Sequence, residues 1–592
     1  MEDRVKMQVE SEILAELRED KVMDHVTWLT EKTPRRLSGS GDDRKAAQYI
    51  CDNMSEYGLE TELLEFETYN SSPIFSELKV LEPVDLLIQS LPCCHILSTL
   101  PEGITTNLVY VGPGAIEDYE GKDVRGKAVL VEVSYSPPTP EKARIAASKG
   151  ASALICSNWG ADQDVICMRA LKAVWGTPTL ENYDEIPKIA GLSISRKAGE
   201  YLGKLCSANP QVKVLIKAEA SNKWEKLVQP LAILHGEGND KSFLVVSGHL
   251  DAWEPGVTCN ATGNGVLLEL ARVFSKYRAS LSRDIYFVFW NGHEIAEAAG
   301  STWFVDHYWD LLRDHCIGYF NIDSPGMKGA VRYEAVASRE LIGFVKKMLG
   351  QTLNGEPLVS DLRKIGDQSF LGVGVPSVSG RMALSAEFIQ KNHGANLGWW
   401  NHTIEDTLDK ADSNNLRRDL VADGAIILGF LNSEILPYDF SATAEAIRDN
   451  LAYLRDQAPH HIELGSLVDQ ADRLSNRVKE LNAAIGKMLF NHLDGNRRSE
   501  INRALKKLSR ILTSPFQTNC SPYEQDSYGS TILSKPIPLL YPVLNLKRMG
   551  LSQEEYILLT TTLIKKRNRV SDALNSAIEW IEATLDKIGG TI

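Results

Sequence analysis

Two stretches in the middle of the chain decide the fold: Phe243-Leu-Val-Val-Ser-Gly-His249-Leu-Asp251 and Asp284-Ile-Tyr-Phe-Val-Phe-Trp290-Asn-Gly-His293-Glu294. Each begins as an apolar run of strand length and ends in polar side chains. A third strand pattern starts at Cys316 and ends at Asp323, and amphipathic helices are predicted over 265–277 and 301–313. Apolar strands that alternate with helices predict a mixed, mostly parallel α/β sheet flanked by helices.

The polar residues at these strand ends form a candidate metal site. The carboxyl ends of parallel strands meet at one edge of a sheet, so the side chains that follow them are expected to converge. A thiol at the start of the next helix and a histidine in a late loop belong to the same group. Imidazole, carboxylate and thiolate groups brought together are typical of a metal site. The candidate residues are His249, Asp251, Cys259, Glu294, Asp323 and His402.

The spacing of His249 and Asp251 gives a more specific expectation. In an extended turn, a carboxylate two residues after a histidine can hold the ring nitrogen that does not face the metal. The side chain of Asp251 is therefore predicted to orient the His249 imidazole.

Five separated segments resemble, in the same order, the di-zinc exopeptidases that include bacterial aminopeptidases, glutamate carboxypeptidase II and transferrin receptor. The resemblance implies that His249 and Asp323 bind a first zinc ion and that His402 binds a second. It also implies that Asp251 orients the imidazole and that Glu294 is the general base. The segments are SGHLDAW (247–253), NATGNGVLLELARVF (260–274), RDIYFVFWNGHE (283–294), NIDSPG (321–326) and HTIEDTLDK (402–410).

Two positions depart from the pattern of this family. Cys259 stands where the resemblance implies a bridging aspartate, and Ile295 stands where it implies a glutamate ligand. Glu297 and His293 are nearby donors that could substitute. The remaining set of His249, Cys259 and Asp323 has three ligands and an open fourth position, as in catalytic zinc sites. We therefore predict about one zinc ion per chain. The alternative is that Cys259 is a small buried residue in a site without metal.

Changes of pattern along the chain predict three units. Residues 1–100 and 219–437 form a zinc-exopeptidase-like catalytic domain. Residues 101–218 form a β-rich inserted domain that resembles the protease-associated domain. Residues 438–592 are helical, and their leucine content predicts a dimerisation domain.

The function predicted from the sequence is hydrolysis of an amide or peptide bond in a small molecule or peptide, with zinc as cofactor. The resemblance also implies that Arg381, Trp399 and Trp400 line the substrate pocket, where they would favour an aromatic or anionic group. Two alternatives remain open. One is an inactive, peptidase-like binding or assembly protein, and the other is a lyase or cyclisation reaction on the same scaffold.

Composition limits the partners. The formal net charge is −14, which disfavours nucleic acids and anionic membranes as partners. The first 20 residues lack the apolar segment of a secretory signal, and no apolar run reaches 18 residues. Nine scattered cysteines without a CxxC pair are typical of reduced thiols. We therefore expect a cytoplasmic protein. The leucine content of residues 438–592 and the family resemblance predict that it is a homodimer.

Overall fold

The structure is a computed structural model that describes residues 2–589 except 161–163, 210, 239, 363, 365, 460–461, 491–494, 528–534 and 548–550. The helices are α1 Glu2–Glu16, α2 Glu19–Lys32, α3 Asp42–Glu56, α4 Thr139–Ser148, α5 Arg196–Ala208, α6 Thr262–Lys276, α7 Ala299–His307, α8 Trp309–His315, α9 Arg339–Thr352, α10 Ala386–Lys391, α11 Ser413–Asn432, α12 Ser441–Gln457, α13 Gly465–Phe490, α14 Gly495–Gln517 and α15 Gln553–Gly589. The strands are β1 Glu60–Glu82, β2 Leu86–Ile88, β3 Ser90–Pro92, β4 Ile104–Gly112, β5 Ala128–Glu132, β6 Ala153–Ser157, β7 Ala190–Ile194, β8 Lys213–Leu234, β9 Phe243–His249, β10 Asp284–Trp290, β11 Cys316–Asn321, β12 Ala330–Ala337, β13 Leu358–Asp361 and β14 Ser377–Leu384.

The central part of the sheet has the strand order β13-β12-β14-β11-β9-β10-β8. Strand β9 pairs in parallel with β10 on one side and with β11 on the other, and β11 pairs in parallel with β14. Antiparallel pairing occurs between β12 and β14 and between β10 and β8. The prediction of a mixed, mostly parallel sheet flanked by helices is therefore confirmed.

The apolar runs that predicted these strands become the core of the sheet. Every residue of β9 and of β11 is buried. A strand at the centre of a sheet that is covered by helices on both faces has no side exposed to water, so it lacks the alternation of half-buried strands. Helix α6 is also buried over most of its length, which holds its first turn, and Cys259 just before it, at the edge of the sheet.

Two long antiparallel strands, β1 and β8, connect the central sheet to the inserted unit. In the insert, β4, β5, β6 and β7 lie side by side in parallel, and β3 pairs with β7. The expected boundary at 218/219 falls inside β8, because this strand continues from the insert into the central sheet. The insert is thus joined to the central sheet through continuous strands.

The C-terminal part of the chain is helical, as predicted. The single helix expected over 301–313 is divided into α7 and α8 at Tyr308. Side chains join this part to the sheet: the Tyr438 hydroxyl donates to the Ile317 carbonyl, and the Arg510 guanidinium donates to the Leu312 and Cys316 carbonyls. In the part of the chain that the structure describes, no helix is long and apolar enough to cross a membrane.

A buried arginine joins the N-terminal segment to the loop that leads to Cys259. The Arg36 guanidinium donates to the carbonyl oxygens of Leu29 (2.9 Å), Thr33 (3.0 Å) and Gly256 (2.9 Å), and its side chain is fully buried. Burial lowers the pKa of Arg36 to about 10. This side chain therefore stays charged at neutral pH and satisfies three carbonyl oxygens.

Replacing Arg36 should be costly. We expect Arg36→Met to lower the free energy of unfolding by about 3 kcal/mol, because three charge-assisted hydrogen bonds to buried carbonyl oxygens are lost. The neighbouring Arg35 is exposed and pairs with Glu254, so Arg35→Met is a matched control with an expected change of about 0.5 kcal/mol or less. Urea unfolding of both variants checks this, and equal losses would contradict it.

Candidate metal centre

His249 ends β9 with one ring nitrogen directed at the centre of the site. Its Nδ1 lies 2.7 Å from the backbone carbonyl oxygen of Asp251, so Nδ1 carries the proton and donates. The lone pair is then on Nε2, which lies 3.6 Å from the Cys259 Sγ and 3.6 Å from the Asp323 Oδ1. This is the tautomer that a metal-binding histidine requires.

The expected role of the Asp251 side chain is wrong. The backbone carbonyl of Asp251 orients His249, and the carboxylate faces the next strand end instead. It accepts hydrogen bonds from the backbone N–H groups of His293 (3.1 Å) and Glu294 (2.9 Å) and from the Ser38 hydroxyl (2.8 Å). The reason is that two N–H groups at the end of β10 need an acceptor, whereas the imidazole already has one.

This geometry predicts the effect of Asp251→Asn. The amide group cannot accept at both of its heavy atoms, so a buried donor loses its partner at a cost of about 1–3 kcal/mol. Zinc content should stay unchanged, since the carbonyl that holds His249 remains. Urea unfolding and elemental analysis of the variant test both parts. Loss of zinc with unchanged stability would contradict this prediction and would show that the Asp251 carboxylate orients His249.

Cys259 lies in the irregular segment Val257–Ala261 before α6 and is 4% exposed. The Asp406 carboxylate holds this segment by accepting from the backbone N–H groups of Thr258 and Cys259. Burial, and then the charges of Glu294 and Asp323, raise the pKa of the Cys259 thiol well above its usual value. A cation at this position would reverse the effect and favour the thiolate.

The donor atoms of His249, Cys259 and Asp323 all lie within 4.8 Å of one another. The structure therefore brings together the three residues that the sequence assigned to a single zinc ion. The donor chemistry also fits zinc, which takes nitrogen, sulfur and carboxylate ligands. Burial itself raises the pKa of Asp323, but the adjacent His249 ring holds that pKa well below the usual range. Asp323 is thus ionised, as a ligand must be.

A second group of donors, Cys259, Glu294 and His402, meets the same distance limit and shares the thiol. The Glu294 Oε1 lies 3.4 Å from the Cys259 Sγ and 3.1 Å from the His402 Nε2. The other carboxylate oxygen, Oε2, accepts a hydrogen bond of 3.0 Å from the Trp253 indole. Burial alone raises the pKa of Glu294, yet His402 and the neighbouring histidines lower it to about 2.

The residues around the altered ligand position do not replace the missing carboxylate. Ile295 is 1% exposed and packs in an apolar cluster with Trp253. The side chain of Glu297 is in neither donor group, and burial raises its pKa well above the usual value although Lys172 opposes this. The proposed substitution by Glu297 is therefore not supported by the geometry.

His293 is the second possible substitute, and its partners are different. Its ring stacks on His249 with centroids 4.1 Å apart, and its Nδ1 forms an ion pair of 2.9 Å with the Asp367 carboxylate. A third donor group, His249, His293 and Glu294, includes it. His293 therefore packs against His249 of the first donor set and belongs to a donor group of its own.

The donors open into a cavity of about 220 Å³ that lies between the catalytic part and the insert. Arg381 lines this cavity, as predicted, and its guanidinium donates to the Asp323 carbonyl at 3.2 Å. The expectation for the two tryptophans is wrong, because neither lines the cavity: Trp400 is 4% exposed and donates to the Thr258 hydroxyl.

The insert supplies the part of the wall that sequence reasoning missed. Its contributions include Tyr135, Trp159, Arg169 and Trp175. The Arg169 guanidinium lies over the Trp159 ring, 4.7 Å from its centroid, and its Nη1 lies 3.4 Å from the His402 Nδ1. No local motif marks these residues, because their role depends on how the insert packs against the catalytic part.

Comparisons with known proteins agree with this architecture. Residues 231–422 match Peptidase family M28, and residues 104–202 match the PA domain. The chain is 23% identical over 410 residues to carboxypeptidase Q of Xenopus laevis. The alignment covers 67% of this chain and 82% of the relative.

Solved structures show the same fold. An aminopeptidase from Aneurinibacillus sp. strain AM-1 superimposes with a TM-score of 0.54 at 23% identity, covering 71% of this chain and 95% of that protein. A peptidase M28 precursor from Shewanella amazonensis SB2B gives a TM-score of 0.61 at 16% identity, covering 73% and 98%. Residues 231–422 of this chain are thus similar to Peptidase family M28, and a segment similar to the PA domain lies ahead of them.

Proposed function

We propose that this protein is a zinc-dependent hydrolase of amide or peptide bonds with one zinc ion per chain, held by His249, Cys259 and Asp323. The convergence of these three donors at the carboxyl ends of β9 and β11 carries the proposal. Their types and their open side toward the cavity are those of a catalytic zinc site. His249 already has the tautomer that leaves Nε2 for the ion.

Glu294 and its neighbours have distinct roles in the proposed reaction. A bound zinc ion would act as a Lewis acid toward the scissile carbonyl and would make water at the site more acidic. The Glu294 carboxylate is ionised at neutral pH and lies beside the donors, so it accepts the proton of the attacking water and returns it to the leaving nitrogen. The Trp253 indole and the backbone contact with Asp251 hold Glu294 in place.

The cavity indicates a small substrate. A volume of about 220 Å³ is below the range of about 300–1,000 Å³ that is usual for drug-sized ligands. Its wall contains the guanidinium groups of Arg169 and Arg381 and the rings of Tyr135 and Trp159. We therefore propose short peptides or amides with an anionic or aromatic group as the substrate class.

A panel of short peptides and amides tests this function. The zinc-loaded protein should release amine from members with acidic or aromatic side chains, a zinc chelator should stop the release, and added zinc should restore it. Absence of hydrolysis across the panel, in protein that holds one zinc per chain, would overturn the proposal.

The second candidate function is a binding or assembly protein without catalysis. The observation that favours it is Ile295, which is buried in an apolar cluster at a position where the family resemblance implies a metal ligand. Glu294 argues for the hydrolase, because a site without chemistry has no need of an ionised carboxylate in the cavity. The panel described above separates the two.

We further propose that the protein is a cytoplasmic homodimer. All nine cysteines are free, as is usual in a reducing compartment. The first turns of α15 present Ile557 and Leu558 to solvent with 55% and 61% exposure, and Ile564 follows with 41%. Large apolar side chains grouped on one helix are typical of association surfaces.

Replacing two of these residues tests the assembly. Light scattering at micromolar concentration should give a dimer for the wild-type protein and a monomer for Ile557→Glu/Leu558→Glu. Ile74→Glu is a matched control, since Ile74 is also 56% exposed but lies on β1. A monomeric wild-type protein, or a dimer in the double variant, would contradict the prediction.

A further inference from the structure

We infer that His402 is a positioning residue for Glu294 and does not bind metal, because Arg169 of the inserted domain determines which ring nitrogen carries the proton. This inference rests on the proposed function. If it is correct, Arg169 of the insert acts on Glu294 through His402. It also gives a physical reason why the chain binds a single ion.

The first step concerns the tautomer of His402. Its Nδ1 lies 3.4 Å from the Nη1 of Arg169. A guanidinium can only donate, so Nδ1 must be the acceptor and the ring proton must be on Nε2. The Nε2 lies 3.1 Å from the Glu294 Oε1, a carboxylate oxygen placed to accept this proton. Both neighbours therefore require the same tautomer, in which Nε2–H donates to the carboxylate.

The second step compares the rings of His249 and His402. The Nδ1 of His249 donates to a carbonyl oxygen, which leaves the lone pair on Nε2 and directs it at Cys259 and Asp323. The Nδ1 of His402 faces a cation that donates. Opposite neighbours thus select opposite tautomers, and of these two rings His249 is the one that presents a lone pair to Cys259 and Asp323.

The third step concerns charge. A second ion among Cys259, Glu294 and His402 would lie near the Arg169 guanidinium and would repel it. The carboxylate that could offset this repulsion is absent, since Ile295 occupies that position. The hydrogen bond between His402 and Glu294 therefore takes the place of the second ion.

The insert holds His402 through its backbone as well. The Met168 N–H donates to the His402 carbonyl oxygen at 2.8 Å, and the Cys167 thiol donates to the Asn401 carbonyl oxygen at 3.5 Å. His402 itself has a φ of 60°, which a non-glycine residue adopts only when its surroundings hold it there. Three consecutive residues of the insert, 167–169, thus position the loop and the ring.

The test combines zinc content with kinetics in five variants. His402→Ala should keep one zinc per chain while kcat falls about 10–100-fold with little change in KM, because Glu294 loses its donor. His402→Gln should recover part of kcat, since its amide N–H can donate to Glu294 but is a poor zinc ligand. His307→Ala, which removes an exposed histidine on α7, is the matched control and should change neither quantity.

The fourth and fifth variants test whether a second zinc ion can bind beside His402. Arg169→Met/Ile295→Glu removes the donor to Nδ1 and supplies a carboxylate, so it should take up a second zinc ion, whereas Ile295→Glu alone should not. Two zinc ions in the wild-type protein, with one lost in His402→Ala, would overturn the inference. Zinc content is read without substrate, so failure of the proposed hydrolysis would leave this test intact.

Discussion

Glu294→Gln should lose about 10²–10⁴-fold in kcat while the protein keeps its fold and its zinc ion. The amide has nearly the shape of the carboxylate and can keep the hydrogen bond from the Trp253 indole, but it cannot accept a proton from water. His249, Cys259 and Asp323 do not change, so the proposed ion stays bound. Steady-state kinetics and elemental analysis of the same preparation measure both quantities.

A matched variant separates the chemistry from the packing of Glu294. Trp253→Phe removes the indole donor from Oε2 and leaves the carboxylate, so we expect a much smaller loss of kcat than in Glu294→Gln. Unchanged activity in Glu294→Gln would remove this residue from the mechanism and would favour chemistry that needs no activated water.

Cys259→Ser should lose most of its zinc, because a neutral hydroxyl is a poor ligand and the remaining pair, His249 and Asp323, is not a complete set. Cys259→Asp should restore zinc binding, since a carboxylate supplies both a donor and a negative charge. The serine variant is nearly isosteric, so the fold should be retained. Its activity should fall together with its zinc content, and activity in Cys259→Asp should recover in part.

Cys316 provides the control for this series. It is also a buried thiol, at the start of β11, and its Sγ contacts the Gly318 carbonyl outside the donor groups. Cys316→Ser should therefore leave zinc content unchanged. If Cys259 served only to fill space, both serine variants would alter stability slightly and neither would alter zinc content.

The sequence was sufficient to predict the fold and the position of the site, because both depend on short-range patterns. An uninterrupted apolar run such as Phe243–Ser247 must be buried on both faces, and this predicts a central parallel strand. Once the strands are parallel, their carboxyl ends share an edge, so His249 and Asp323 had to approach each other.

The contacts that determine the role of each site residue could not be predicted. The Asp251 carboxylate binds two N–H groups of the next strand end, a contact that depends on how β9 and β10 lie beside each other. Arg169 is about 230 residues from His402 in the sequence, so only the packing of the insert reveals their contact. Trp400 follows the pattern of a pocket residue, yet its indole is buried against Thr258.

The central claim is that His249, Cys259 and Asp323 hold one zinc ion, and the zinc content of the purified chain tests it most directly. Elemental analysis after mild dialysis should give about one zinc per chain in the wild-type protein and little or none in Cys259→Ser. Two tightly bound ions per wild-type chain, or equal zinc in the wild-type and serine proteins, would contradict the account.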